Sequence, residues 1–521
     1  MKRIVVISLV LAVFSVISYA FIQKDKSTIS KKKKPNILFI VVDDLKPLLE
    51  SYGDENVKTP GMDRLASQGV LFENAYCQQA VCAPSRVSFF TGKRPDRTKV
   101  FDLKTNMRDM NPNIITAPQF FKDHGYTTVG LGKLLHGAKR NDPVSWSKQP
   151  KKDSKLNYAE GFTAPALDKY QDPKIKAAVA ETIAQNLKWR QTKKYLQERK
   201  LLPFSECMDV PDDAYADGAI AKEGIKLIKR LSKKEEPFFI ALGFHKPHLP
   251  FVAPKKYWDM YDEAAIQTSP FQEHAANSPS YAYHTWGEIR AFSDIPNEGP
   301  IPNEQQKKVI HAYWASISYV DAQIAKVLDA LDKMEVSENT IVVLWGDHGW
   351  HLGDHGLWCK HSNFEQATKV PFIIRAPGYA KGKRAKTFAE LVDIFPTLVD
   401  YAGIEIPDYL EGNSLMPILE NPKAENKDYA ISQYFRGKNI MGYSIRTKQY
   451  RLTLWLKGDF KHEDLFRNPN IAAMELYDYE KDPLETVSQA ENPEYSKVVE
   501  ELKSKLLGLL VEQADKYEIK N

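Results

Sequence analysis

Asn36-Ile37-Leu38-Phe39-Ile40-Val41-Val42-Asp43-Asp44 is an unbroken apolar run of strand length that ends in two adjacent carboxylates. Such a run marks a strand buried on both faces, the central position of a parallel sheet, and in these sheets function gathers at the carboxyl ends of the strands. Two neighbouring aspartates at a buried strand end repel each other unless a cation lies between them. Asp43 and Asp44 are therefore candidate ligands for a hard ion such as Ca²⁺ or Mg²⁺. On this segment alone, a solvated turn after the strand fits equally well.

Three more runs repeat the pattern. Residues 126–131 lead into Lys133 and His136, residues 238–244 into His245-Lys246-Pro247-His248, and residues 340–345 into Asp347 and His348, with Lys360 beyond. In a doubly wound α/β sheet these ends converge on one rim, so four polar strand ends predict a site. Between the strands, apolar residues at Val309, Tyr313, Ile317, Val320, Ile324, Val327 and Leu331 predict a helix over 305–334 laid on the sheet.

Val81-Cys82-Ala83-Pro84-Ser85-Arg86, followed by an apolar stretch closed by Gly92, reads as a short helix beginning near Pro84. A helix N-terminus lowers a thiol pKa and attracts anions, and Arg86 lies about one turn on, on the same face as Cys82. A cysteine packed against Phe89 and Phe90 is the plainer alternative.

The chain has 521 residues, 43% hydrophobic and 27% charged, which suits a globular protein with a large core. Its formal charge of +5 is too balanced for general nucleic-acid binding. Residues 1–20, with Lys2-Arg3 before an apolar stretch and Ser18-Tyr19-Ala20 after it, read as a cleaved signal peptide. This makes the protein exported, periplasmic or secreted, with no stable membrane insertion. Residues 21–34 read as a disordered lead-in. Four cysteines, Cys77, Cys82, Cys207 and Cys359, are too few for a disulfide-built fold. The lysine-rich segment 141–210 reads as a surface insertion near the pocket, with one helix from 173 to about 200. The proline-rich segment 270–303 reads as a long ordered loop that shapes substrate binding. After about residue 425, alternating segments at 443–447 and 450–455 and a last amphipathic helix marked by Val499, Leu502, Leu506 and Leu510 suggest a smaller α+β domain. The expected division is a catalytic domain over 35–424 and a small-sheet domain over 425–521.

Cys82-Ala83-Pro84-Ser85-Arg86 matches the C-x-P-S-R signature of type I sulfatases, and the chain from Pro35 onward resembles that family. Gln78-Gln79-Ala80-Val81, His245-Lys246-Pro247-His248, Asp347-His348-Gly349-Trp350 and 440–447 are similar to the iduronate-2-sulfatase branch. The resemblance implies an alkaline-phosphatase-like α/β fold, with a large, mainly parallel sheet and a small C-terminal antiparallel sheet. It implies that a formylglycine-generating or sulfatase-maturating enzyme oxidises Cys82 to formylglycine. One Ca²⁺ is then expected between Asp43, Asp44, Asp347, His348 and the modified Cys82. Arg86, Lys133 and Lys360 are the implied cations around the sulfate, and His136 and His245 the proton-transfer groups. The implied substrate is a sulfated oligosaccharide or polysaccharide, either a 2-sulfated uronic acid or an algal glycan such as ulvan. A phosphonate or phosphate ester hydrolase on the same sheet and a non-catalytic glycan-binding protein are the alternatives.

Overall fold

The computed structural model describes residues 34–136, 142–284 and 287–518. The signal peptide expected over 1–20 lies outside them, as does the lead-in over 21–34 except for Lys34.

The run that ends at Asp43 forms the strand Asn36–Val42, with all seven residues buried. It sits inside an eight-stranded sheet ordered Lys383–Glu390, Val70–Tyr76, Phe372–Arg375, Thr340–Gly346, Asn36–Val42, Phe238–Phe244, Thr127–Gly132, Lys148–Lys151. Only Phe372–Arg375 runs antiparallel to its neighbours, so the sheet is mixed and mainly parallel.

Successive side chains of a strand point to opposite faces, and each face here has its own layer. Leu38, Ile40 and Val42 join a core with Val309, Ile317 and Val320 of the long helix Asn303–Asp332, the helix expected over 305–334. Ile37, Phe39 and Val41 face the other way, toward Phe89 and Phe90 of the helix Cys82–Thr91. There the Phe39 ring meets Trp345 edge-on at 4.3 Å between centroids.

Segment 141–210 differs from the surface insertion expected. Lys148–Lys151 extends the main sheet, and Ile175, Leu196, Leu202 and Phe204 are buried in the same core as the central strand. The single helix expected over 173–200 is two, Pro173–Ala184 and Trp189–Glu198. The break is at Asn186, whose φ of +53° is a left-handed conformation that a helix cannot carry through.

Four antiparallel strands, Tyr429–Arg436, Ile440–Thr447, Tyr450–Lys457 and Ile471–Asp478, form the second sheet in sequential order. The helix Ser496–Glu518 lays Val499, Leu502, Leu506 and Leu510 on it. This sheet also reaches the segment before Cys82, since Ser432 Oγ donates to Cys77 O at 2.6 Å and Gln433 N to Gln78 O at 2.8 Å. All four cysteines are free. Among the described residues, no helix is long and apolar enough to cross a membrane.

Two glycines let neighbouring strand ends meet. Gly132 has φ of +72°, and a Cβ on Gly243 would lie 2.0 Å from the Lys133 carbonyl oxygen. Because backbone rather than a flexible side chain stands in the way, Gly243→Ala is expected to cost about 3 kcal/mol, the upper range for overpacking. Urea denaturation checks this; an unchanged midpoint would mean that the strand ends have slack.

Candidate active site

Strand register assembles the site. Val42 pairs with Gly346 on one side and Phe244 on the other, and Gly132 pairs with Gly243. The next residues of three strands, Asp43, Asp347 and His245, therefore leave the sheet at one level, with Lys133 of the fourth one residue below them. Asp43 N donates to Phe244 O at 3.2 Å and Asp347 N to Val42 O at 3.1 Å, which extends the ladder one step past the strands.

Asp44 then turns with φ of +59°, an unusual conformation for a non-glycine residue. Its surroundings hold it there. Its N–H donates to Asp347 Oδ1 at 3.0 Å, and its carbonyl accepts from the Tyr313 hydroxyl at 2.6 Å.

The helix Cys82–Thr91 points its N-terminus at this rim. Pro84 is tolerated in the first turn, where no intrahelical partner is needed for its missing N–H, and Gly92 at φ +64° ends the helix. Cys82 Sγ lies 3.4 Å from His348 Nε2, 3.5 Å from Lys133 Nζ and 3.6 Å from Asp43 Oδ1. Arg86, fully buried, donates to Asp43 Oδ1 and Asp347 Oδ2, each at 2.8 Å, and to the carbonyls of Lys133 and Leu134. Lys133 donates to the other Asp43 oxygen. Lys360 lies 2.8 Å from each Asp44 oxygen, 2.9 Å from Glu288 and 4.9 Å from the centre of the Trp350 ring.

Charge follows from these contacts. Burial pushes the Asp43 carboxyl up, but the Lys133 and Arg86 cations outweigh it and hold Asp43 well below the usual carboxylate range. Burial likewise opposes ionisation of Cys82, yet Lys133 and Lys360 hold its thiol well below the ordinary value. For Asp44 burial prevails, helped by the negative charge of Asp43, and its pKa rises despite His248 and Lys360. His348, although buried, is pushed up to about 9 by Asp347, Cys82 and Asp44.

Asp43, Asp44, Cys82 and His348 each offer a ligand atom, all within 4.8 Å of one another and all buried. Asp347 stands beside them, 3.7 Å from His348 Nε2. Its oxygens are engaged by Arg86 and by the backbone N–H groups of Asp44 and His348. Of the proton-transfer candidates, His245 directs Nε2 to Asp153 at 3.0 Å, and His136 is half-buried three residues beyond Lys133.

Sequence reasoning assigned no role to three groups found here. His248 lies 3.2 Å from Glu288 and 3.9 Å from Asp44, Glu288 bridges His248 and Lys360, and Asp153 holds His245. Glu288 and Asp153 lie on segments without periodicity, where one carboxylate looks like any other.

An anionic ester reaching this rim would meet carboxylates already paired with buried cations, next to a thiol whose ionisation those cations favour. Chemistry of that kind, on a mainly parallel sheet, defines a hydrolase of anionic esters. The chain belongs to the sulfatase family and is a sulfuric ester hydrolase: residues 35–404 match the Sulfatase family, and residues 353–512 match the C-terminal region of N-sulphoglucosamine sulphohydrolase. It is 36% identical to iduronate 2-sulfatase of Mus musculus, over 86% of this chain and 90% of that one. Its fold is similar to a structure solved with its substrate D-glucosamine-2-N,6-O-disulfate, at TM-score 0.67, 21% identity and coverage of 94% and 99% of the two chains. It is also similar to phosphonate monoester hydrolase of Agrobacterium radiobacter, at TM-score 0.66, 22% identity and coverage of 92% and 96%.

Replacing Arg86 with Met leaves two buried carboxylates without their shared partner. The expected loss is about 3–5 kcal/mol of stability, read in a denaturant titration; a loss below about 1 kcal/mol would show that the pairing is dispensable to the fold.

Proposed function

We propose that this chain hydrolyses sulfate esters of sulfated carbohydrates with formylglycine at position 82 and one divalent metal, Ca²⁺ by preference, and that it acts as an exported enzyme. The observation that carries the reading is the position of Cys82. It opens a buried helix in a C-x-P-S-R sequence, with Asp43, His348 and Lys133 all within 3.6 Å of its sulfur.

The donors fit a divalent cation. Two buried carboxylates repel each other, Asp44 is lifted by burial in spite of Lys360, and an added positive charge among these oxygens relieves both effects. Asp43, Asp44, Asp347 and His348 would hold it together with residue 82. The metal would supply charge that acidifies the hydroxyl of the aldehyde hydrate and offsets the sulfate.

The remaining work belongs to the chain's own side chains. Arg86 fixes Asp43 and Asp347 and thereby the rim itself. Lys133 and Lys360, whose charges both act on position 82, receive sulfate oxygens and stabilise the charge that develops on them. His245, oriented by Asp153, protonates the departing sugar oxygen, with Lys360 as the other group able to do so. His136 takes a proton from residue 82 in the step that releases sulfate. A 2-sulfated uronic acid is the leading substrate, supported by the similarity to the mouse enzyme, and algal glycans such as ulvan are the second class.

Peptide mass spectrometry of protein made with a maturation enzyme is expected to find formylglycine at position 82, and Cys82→Ala to fold normally while losing turnover. Full activity with an intact thiol would refute this. Chelation is expected to remove activity and lower Tm, because an ion that binds only the native state stabilises it. If both were unchanged, the metal would drop out of the reading. Sulfate release is expected to exceed hydrolysis of an aryl phosphonate; the reverse order would favour phosphonate ester hydrolysis.

A further inference from the structure

Four cations of the rim are matched by carboxylates: Arg86 by Asp43 and Asp347, Lys133 by Asp43, Lys360 by Asp44 and Glu288, and His248 by Glu288, while the buried Lys246 is held by the carbonyls of His248 and Pro250. Lys169 is different. Its ammonium donates to the carbonyl of Leu249 at 3.2 Å, and no carboxylate among the described residues pairs with it.

The same carbonyl accepts from His248 Nδ1 at 2.6 Å, so the Lys169 ammonium and the His248 ring share one oxygen atom. On its far side His248 Nε2 faces Glu288 at 3.2 Å and Asp44 at 3.9 Å. Lys169 is thus two contacts from the carboxylates of the rim. Asp44 and Glu288 offset the charge of the histidine, whereas the lysine feels the Glu288 charge only from beyond ion-pair contact. Lys169 is also firmly placed. Leu167 and Asp168 are both left-handed, at φ +57° and +61°, Ala166 bridges back to Tyr170, and the fully buried Tyr170 donates its hydroxyl to Pro203 O at 2.6 Å.

We propose that Lys169 is a specificity-determining residue that binds a second anionic group of the substrate, a carboxylate or a second sulfate, while the first sulfate occupies the site beside Cys82. A half-buried ammonium that touches only a carbonyl retains donors for an incoming anion, and a charge-assisted bond there is stronger than a neutral one. Burial lowers the pKa of this amine to about 8, and the negative charge of a docked anion offsets that cost by favouring the ammonium form. This inference rests on the sulfatase reading above and adds the substrate class: sugars carrying two negative groups close together.

The test compares Lys169→Gln and Lys169→Arg with wild type on two substrate pairs. One pair is a 2-O-sulfated uronate disaccharide and its carboxyl-reduced counterpart. The other is a disulfated glucosamine and its monosulfated counterpart. Wild type is expected to prefer the doubly charged member of one pair, and that pair identifies the second group. Lys169→Gln is expected to lower the ratio of kcat/KM within that pair about 10- to 100-fold, chiefly through KM, with Lys169→Arg retaining most of it. Equal losses on both members, an unaltered ratio, or no wild-type preference in either pair would overturn the role of Lys169. Absence of sulfate release from all four by wild type, with release from an aryl sulfate, would reject the sugar substrates and this inference with them. No release from the aryl sulfate either would count against the sulfatase mechanism as a whole.

Discussion

The structure depends on one buried guanidinium. Arg86 binds Asp43 at the end of the central strand, Asp347 at the end of its neighbour, and the carbonyls of Lys133 and Leu134 after a third strand. It does so from a helix packed against the face of the same sheet. A charge fully removed from water is tolerable only with partners at good geometry, and Arg86 and its two carboxylates supply them to one another. Nothing in this set can shift alone. Displacing the helix would strip the aspartates, and displacing a strand end would strip the arginine.

That mutual constraint explains the backbone found nearby. Asp44, Cys359 and His361 all have positive φ, at +59°, +105° and +73°, and all three flank the charged cluster. Such conformations persist only where the surroundings over-determine them. For Asp44 the surroundings are the Asp347 carboxylate on its N–H and the Tyr313 hydroxyl on its carbonyl. Lys360 follows Cys359 directly, so the unusual turn is also what carries its ammonium back to Asp44.

The main strands were legible in the sequence because a strand buried on both faces needs an unbroken apolar run, and Asn36–Val42, Phe238–Phe244 and Thr340–Gly346 each have one. Parallel register then places whatever follows such runs on one rim, so Asp43, Lys133 and Asp347 could be named without a structure. The helix carrying Cys82 was legible from Pro84 and Gly92, which stand where a helix starts and stops. Segment 141–210 was not. Its break at Asn186 is a single left-handed residue, and its core contribution comes from scattered positions such as Leu196 and Phe204 that leave no periodic trace. Glu288, Asp153 and Lys169 were hidden for a related reason: each is defined by a partner far away in sequence.

Rim and loops therefore obey different rules. A change at Asp43, Arg86 or Asp347 unbalances buried charge and is felt by the whole sheet. Asp153 and Lys169 come from segment 141–210, and Glu288 from the proline-rich segment 270–303. Each reaches the rim through one or two contacts, to His245, to the Leu249 carbonyl, or to His248 and Lys360. None of the three joins the Arg86 network directly, so each can change its charge or length without leaving Asp43 or Asp347 unpaired. This separation would let the chemistry remain fixed by the Arg86 network while recognition of the rest of the substrate, as proposed for Lys169, varies on side chains outside that network.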